Sequence, residues 1–329
     1  MTARTYRGTP RNLARLARAL QAGELVAVPT ETVYGLAANA LDAPACRKIF
    51  TAKGRPAHDP LIVHLHDLSQ LALIARPNAA ALKLAKKFWP GPLTLVLPKT
   101  DAVPAIVSSG LPSVAVRIPA HPLFRRLLKL AGLPLAAPSA NRFGYVSPTT
   151  AAHVRDGLGK KIRHILDGGP ATIGLESTIV DLRDPLHPRL LRPGAITRAQ
   201  LSLALGRPVA AARSTVSAAG SAQVAPGLLA RHYSPRTPVV LHDRLNPRQL
   251  SRLAPDEAWL FLARPKSATP AKNIFWLDPH GDLRGAAREL FSALRRLDRS
   301  GFKRIHVELA RGEGLALAIN DRLRRAAAR

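Results

Sequence analysis

Cysteine occurs once in the 329 residues, at Cys46. One thiol excludes an internal disulfide and any cysteine-rich metal site, and fits a reducing compartment. Cys46 shares the apolar face of an expected helix with Ile49 and Phe50, the setting of a buried structural thiol and not of a nucleophile. No apolar run approaches the roughly 20 residues that a membrane helix needs. The arginines at Arg4, Arg7, Arg11 and Arg15 are not followed by an uninterrupted apolar signal core before Gly23. The expectation is a soluble, cytoplasmic chain with no membrane partner. Acidic residues are scarce: 21 stand against 49 lysines and arginines, a formal charge of +28. From Thr237 onward there are 18 basic and 10 acidic residues, so +20 of that charge belongs to the first 236. Such a surface attracts polyanions and binds nucleic acid weakly and in a salt-dependent way. Genome base bias toward Arg and Ala gives the same count, and no zinc-finger or RNP signature is present. Nor is there a P-loop, since Gly157-Leu158-Gly159-Lys160 is too short and lacks the hydroxyl.

What is present is enough for a globular protein. The length suggests two domains of ordinary size, and 47% of the residues are hydrophobic. Thr9-Pro10 starts a helix in which Leu13, Leu16, Ala17 and Leu20 recur at helical spacing before Gly23. Asp42 caps a helix that runs toward Lys53, while Asp67 and Asn78 cap two shorter ones. Strands are expected at Leu25 to Val28, Leu61 to Val63, Leu93 to Leu97 and Val114 to Ile118, with a short one entering Pro138. Ser147-Pro148-Thr149 reads as another helix start.

The stretch from Leu25 to Leu65 concentrates residues that strands do not need. Pro29-Thr30-Glu31-Thr32 ends one strand with three side chains able to hydrogen-bond a ligand. Lys53-Gly54-Arg55-Pro56 puts two cations on one short loop, where Gly54 frees the backbone and Pro56 blocks helix continuation. Taken singly, the Thr and Glu need only cap the next element, and Lys and Arg on a loop are ordinarily solvated. Arg117 stands inside the apolar run VAVRIP and needs a carboxylate partner or a ligand. Pro138-Ser139-Ala140-Asn141 sets a hydroxyl and an amide two residues apart at a strand end, on the same side.

Together these segments resemble the threonylcarbamoyl-AMP synthase (YrdC-type) family in its longer, two-domain form. The family pattern PT-[DE]-T-VYGL, K-x-R-P and PL-x-x-H is matched in order, ending at His64. P-SAN then SPT follow at Pro138 to Thr149, then DGG at Asp167 to Gly169, EST-[IV]-VD at Glu176 to Asp181 and RPG at Arg192 to Gly194. The resemblance implies an α/β fold: a twisted mixed-sheet catalytic domain over 1–205, a linker over 206–237 and a smaller Rossmann-like domain over 238–329. It implies synthesis of threonylcarbamoyl-AMP from L-threonine, bicarbonate or CO2 and ATP, with Mg2+ arriving on the ATP and pyrophosphate leaving. That is the first step of threonylcarbamoyl-adenosine modification of tRNA, and the implied partners are the downstream tRNA threonylcarbamoyl transferase proteins.

Matching positions carry the roles. Lys53 and Arg55 are the implied catalytic cations on the phosphates, with Ser113, Ser139, Asn141, Ser147, Arg192 and Tyr233 around the nucleotide. Asp59 is placed with them, although relatives often carry a neutral or basic residue there. Thr32, His64, Arg117, the backbone near Ala137, and Ser177 would hold threonine, whose carboxylate suits Arg117. No metal ligand is assigned to protein side chains. The resemblance also implies that Lys53→Ala or Arg55→Ala abolishes pyrophosphate release with the fold intact. Two other readings stand beside it. One is a non-catalytic RNA-binding or ribosome-associated factor using the same basic surface. The other is a carbamoyl-adenylate enzyme with another acceptor, as in hydrogenase maturation proteins, whose acylphosphatase and zinc-finger parts are absent here.

From Gly206 to Pro238 the texture is Ala, Ser, Gly and Pro, as in a linker. Within it, Ala225-Pro226-Gly227-Leu228 and Arg231-His232-Tyr233-Ser234-Pro235 resemble the family's PG…RHY-x-P segment, a lid with Tyr233 on the nucleotide. Beyond Pro238, strands at Val239 to Leu241, Trp259 to Leu262, Ile274 to Trp276 and Ile305 to Leu309 alternate with helices near Pro247 to Leu253, over Leu283 to Leu297, and at the basic C-terminus. Gly312-Glu313-Gly314 is half of a dinucleotide fingerprint, because Leu317 stands where a Gly or Ala belongs. No catalytic residue is expected in this region.

Overall fold

The structure is a computed structural model that describes residues 2–211, 222–229, 232–245, 254–266 and 272–328. The expected helix near Pro247 to Leu253 lies outside the described residues, as does Arg231.

An eleven-stranded mixed sheet forms the first layer system. In spatial order its strands are Arg4–Arg7, His164–Asp167, Val26–Val28, Gly35–Asn39, Leu135–Ala136, Ile62–His64, Ser113–Arg117, Leu93–Pro98, Thr178–Asp181, Arg189–Arg192 and Ala210–Ala211. Apolar side chains on both faces explain why the central strands are near-continuous runs: every residue of Val26–Val28, Ile62–His64 and Ser113–Arg117 is buried. One face packs against Pro10–Gln21 and Pro122–Ala131 through Leu13, Leu16, Leu20, Phe124 and Leu127. The other face holds Ala43–Lys53, whose buried positions include Cys46, Ile49 and Phe50. Register decides what meets at the strand ends. His64 lies opposite Arg117 in a parallel pair, and Thr178 lies opposite Leu93.

Helix caps follow the local chemistry. Thr9 accepts from Asn12 N at 3.3 Å, Asp42 from Ala45 N at 3.2 Å and Asn78 from Ala81 N at 2.9 Å. Gly54 ends its helix at φ 66°, a left-handed conformation that lets Lys53 and Arg55 leave in different directions. One start was misplaced by the sequence pattern. The helix after Pro148 is Ala151–Leu158, capped by Thr150, whose side chain accepts from His153 N at 3.2 Å. Ser147 and Pro148 are used elsewhere, the former on Glu176 and the latter as acceptor for Tyr34 N, so the helix begins after them.

The second sheet has four parallel strands in the order Val239–His242, Arg304–Glu308, Glu257–Ala263 and Ile274–Asp278. Helices Leu283–Asp298 and Leu315–Ala327 supply its core through Leu290, Phe291, Leu294, Ile319 and Leu323. Val33, Val146, Leu175 and Tyr233, which precede this sheet in the chain, join that core. Gly174, at φ 81°, makes the approach possible: a Cβ there would come within 2.4 Å of Arg288 Cα. Among the described residues no helix is long and apolar enough to cross a membrane.

Candidate functional site

Strand ends and the turns beyond them converge on one cleft. The turn after Val26–Val28 is closed by Thr30, whose hydroxyl donates to Val33 O at 2.6 Å and accepts from Thr32 N at 3.0 Å and Val33 N at 3.1 Å. Its neighbours are thereby aimed at Arg117. Glu31 Oε1 lies 2.6 Å from one Arg117 terminal nitrogen, and the other donates to Thr32 Oγ1 at 3.0 Å. Arg117 Nε donates to Gly91 O at 3.0 Å. Burial alone would raise the Glu31 carboxyl, but the Arg117 charge and the Ala120 N–H outweigh it and hold the group below the usual carboxylate range. Of the two possibilities raised for Arg117, the structure shows the carboxylate partner, Glu31, and it places Arg117 in the cleft wall. Beside it, His64 is pulled down to about 3 by burial and by the Arg117 charge, so it is neutral, and its Nδ1 has no protein partner.

The loops at 53–55 and 139–141 share this hollow. Lys53 Nζ donates to the carbonyls of Ser139 and Asn141, the latter at 2.6 Å, and Phe143 N donates to Lys53 O at 2.9 Å. Burial, with the nearby Arg55 charge, pulls the Lys53 ammonium well below its ordinary value. Arg55 donates from Nε to Asp59 O at 2.8 Å and from a terminal nitrogen to Pro60 O at 2.6 Å, and it pairs with Asp59 Oδ2 at 3.0 Å. Asp59 is fully buried.

The opposite wall comes from Glu176 to Thr178 and from Arg192. Arg192 donates to Ser177 O at 3.1 Å, Ser177 Oγ at 3.2 Å and Pro226 O at 3.1 Å, tying the linker to the sheet. Ser177 Oγ lies 2.8 Å from Thr94 Oγ1, and Ser147 Oγ donates to Glu176 Oε1 at 2.5 Å. Tyr233 closes the top at φ 61°, with 1% of its surface exposed. Its hydroxyl has no protein partner, and burial with the Glu176 charge pushes its pKa up to about 12.

Thr32, Arg55, His64, Arg117, Ala137, Ser139, Ser177, Arg192 and Tyr233 line this cleft together. Lys53, Asn141, Asp59 and Ser147 stand behind its wall, bonded to residues that line it or, for Asn141, to Lys53. Ser113 begins the strand that Arg117 ends, so the two are about 13 Å apart at ~3.3 Å per residue. Its hydroxyl is buried and unpartnered. Glu31 and Glu176 were passed over as site residues, although each sits in a quoted motif. Arg322, which donates to Glu176 Oε2 at 2.9 Å, comes from the far end of the chain and left no local signal.

Chemically, the cleft offers fixed cations and the unpartnered hydroxyl of Tyr233, and among the described residues no cysteine lines it. Cys46 donates to Asn39 O at 3.3 Å, and burial with the Asp42 charge pushes its thiol up to about 12. Such a site suits reactants that carry both nucleophile and leaving group, held against positive charge. Fold and cleft define an α/β protein whose cleft is lined by arginines and built without a P-loop.

A family profile described as "Telomere recombination" matches residues 18–194, and one described as "Threonylcarbamoyl-AMP synthase, C-terminal domain" matches residues 196–328. The chain is 43% identical to a threonylcarbamoyl-AMP synthase of Pyrococcus abyssi over 325 residues, covering 93% of this chain and 91% of the relative. It is 40% identical to that of Bacillus subtilis, covering 96% and 92%. The crystal structure of P. abyssi Sua5 complexed with L-threonine superposes with a TM-score of 0.89 at 38% identity, covering 99% of this chain and 98% of that one. The chain belongs to the threonylcarbamoyl-AMP synthase family, and it is an enzyme. These likenesses favour the catalytic reading and lend nothing to the RNA-binding alternative.

Proposed function

We propose that this enzyme makes threonylcarbamoyl-AMP from L-threonine, bicarbonate or CO2 and ATP with release of pyrophosphate, and that downstream tRNA threonylcarbamoyl transferase proteins in the cytoplasm use the threonylcarbamoyl-AMP. One observation carries the assignment of roles: Arg55, Arg192 and Ser139 share a cleft with Thr32, His64 and Arg117. The first group suits a triphosphate and the second an amino acid. The threonine carboxylate would meet Arg117, already aligned by Glu31. Neutral His64 could accept a proton from the threonine amine, though its low basicity favours a hydrogen-bonding role. The amine attacks CO2 with loss of a proton, or bicarbonate with loss of water, to give a carbamate, and a carbamate oxygen attacks the α-phosphorus in line as the bond to pyrophosphate breaks. Arg55 and Arg192 would face the charge that develops on phosphate, with guanidinium forks suited to paired oxygens. Lys53 sets the Ser139 loop through the carbonyls it holds and adds positive charge from behind. Tyr233 would donate its unpartnered hydroxyl to the nucleotide.

Among the described residues no group of three or more metal-binding side chains is gathered. Asp59 and Glu176 are both committed to arginines. Magnesium therefore enters this reading only as the counter-ion of the triphosphate, and no step is assigned to it. The division into 1–205, 206–237 and 238–329 and a weak, salt-sensitive affinity for RNA belong to the same proposal. Incubation of the purified protein with ATP, bicarbonate and each amino acid in turn, read by mass spectrometry, should yield a carbamoyl adenylate with threonine alone. An adenylate formed equally with other amino acids, or none with threonine, would overturn it.

A further inference from the structure

Sequence reasoning gives the region beyond Pro238 no residue of the site, yet its terminal helix packs behind the cleft wall, against Glu176. Arg322, with no exposed surface, pairs with Glu176 Oε2 at 2.9 Å and donates to Pro193 O at 3.0 Å. Its guanidinium carbon lies 5.4 Å from the centre of the Tyr233 ring. Nearly one turn on, Arg325 donates to Leu229 O, and its own carbonyl accepts from His232 N at 3.3 Å and Ser234 Oγ at 3.2 Å. Asp321 Oδ1, 3.1 Å away, holds the Arg325 side chain in place.

Apolar packing would dock two domains without the desolvation cost of a buried guanidinium, so these contacts call for another reason. Glu176 lines the cleft beside Arg55 and Arg192. Unpaired, its carboxylate would repel an anionic ligand, and Arg322 offsets that charge from behind. The same helix holds the chain on both sides of the lid residue Tyr233, through Leu229 O and His232 N before it and the Ser234 side-chain hydroxyl after it. We propose that the terminal helix is the latch of the linker lid, with Arg322 and Arg325 as positioning residues that govern how long nucleotide is retained. This rests on the cleft being the ATP site. The chemical step needs neither arginine, because neither lines the cleft.

The test compares wild type, Arg322→Met, Arg322→Lys and Arg325→Ala by stopped-flow dissociation of a fluorescent ATP analogue and by hydrogen exchange of the peptide spanning 222–235. Dissociation should be about tenfold faster in Arg325→Ala and Arg322→Met, the factor that about 1.4 kcal/mol represents. Exchange of that peptide should rise with it, because Arg325→Ala removes the donor to Leu229 O, Arg322→Lys should recover part of the retention, and kcat at saturating ATP should stay within about twofold. Arg325 lies at the helix periphery, so Arg325→Ala carries the test where Arg322→Met fails to fold. Wild-type protein that binds no analogue ends the nucleotide reading and this proposal with it. Wild type that binds, with Arg325→Ala unchanged in dissociation and exchange, ends the latch alone.

Discussion

Replacing Arg55 by alanine should damage the fold as well as the chemistry, against the simpler expectation from sequence. The guanidinium pairs with Asp59 at 3.0 Å and donates to two backbone carbonyls, and Asp59 is fully buried. Removing one partner of a buried pair leaves an uncompensated charge and costs about 3–5 kcal/mol, a large share of a stability of about 5–15 kcal/mol. Arg55→Met combined with Asp59→Leu removes both charges and should recover most of that loss, short of the donors owed to the carbonyls of Asp59 and Pro60. Urea unfolding measures the stability side. Threonine-dependent pyrophosphate release measures the other side and should fall on the order of 10²–10³-fold in both variants, as when one donor to a developing oxyanion is lost. The two readouts separate the two roles. Wild-type stability in Arg55→Ala would refute the buried-pair argument, and a well-folded double variant with wild-type activity would refute the phosphate assignment.

Three further predictions follow from the same geometry. His64 is neutral in the folded protein down to about pH 3 but titrates near 6.5 when unfolded. The unfolded chain therefore binds more protons between those values, so stability is unaffected above that window and falls as pH drops through it, by up to about 1.4 kcal/mol per unit from this residue. His64→Asn should flatten the pH slope of unfolding by up to one proton, and an unchanged slope would count against a neutral buried imidazole. Tyr233→Phe deletes a hydroxyl that has no protein partner. Stability should move by no more than about 1 kcal/mol, while affinity for an ATP analogue measured calorimetrically should drop several-fold; equal affinity would remove the hydroxyl from the nucleotide. Gly174→Ala sets a Cβ against the Arg288 backbone at a positive φ. It should cost about 2 kcal/mol or more, and a wild-type melting temperature would show that the two halves do not need this close approach.

Local chemistry was the legible part. The capping residues Thr9, Asp42 and Asn78, the glycine at the end of the Lys53 helix and the apolar strands were all readable because each depends on neighbours within a few residues. The order of the eleven strands was not, since it is set by pairings such as Val63 with Ala136 that no short window contains. In the site, motif order pointed to Thr32, Arg55, His64, Arg117 and Arg192, which do line one cleft. What stayed hidden was charge pairing across the fold. Glu31 reaches Arg117 over 86 residues, and Glu176 reaches Arg322 over 146, so neither pairing was legible until its partner was in view. The shift of a helix start from Ser147 to Thr150 has the same cause, because Ser147 is taken by a distant carboxylate.

Burial of so many cations is the feature that binds these observations together. Lys53, Arg55, Arg117, Arg192 and Arg322 are all nearly inaccessible, and Glu31, Asp59 and Glu176 are the carboxylates among them. With Asp321, which pairs with Arg322 at 2.7 Å, four carboxylates stand against five cations, in surroundings where desolvation pulls Lys53, Arg55 and Arg192 toward their neutral forms. An anionic ligand entering such a cleft relieves a field that folding has built, and it meets donors already oriented by carbonyl and carboxylate partners. Those partners hold each cation in one place, so little reorganisation accompanies the reaction. A P-loop achieves the same end with backbone N–H groups at a helix N-terminus. In the proposed reading that work falls to Arg55 and Arg192, guanidinium groups from segments far apart in the chain, which is why no single motif announces the site.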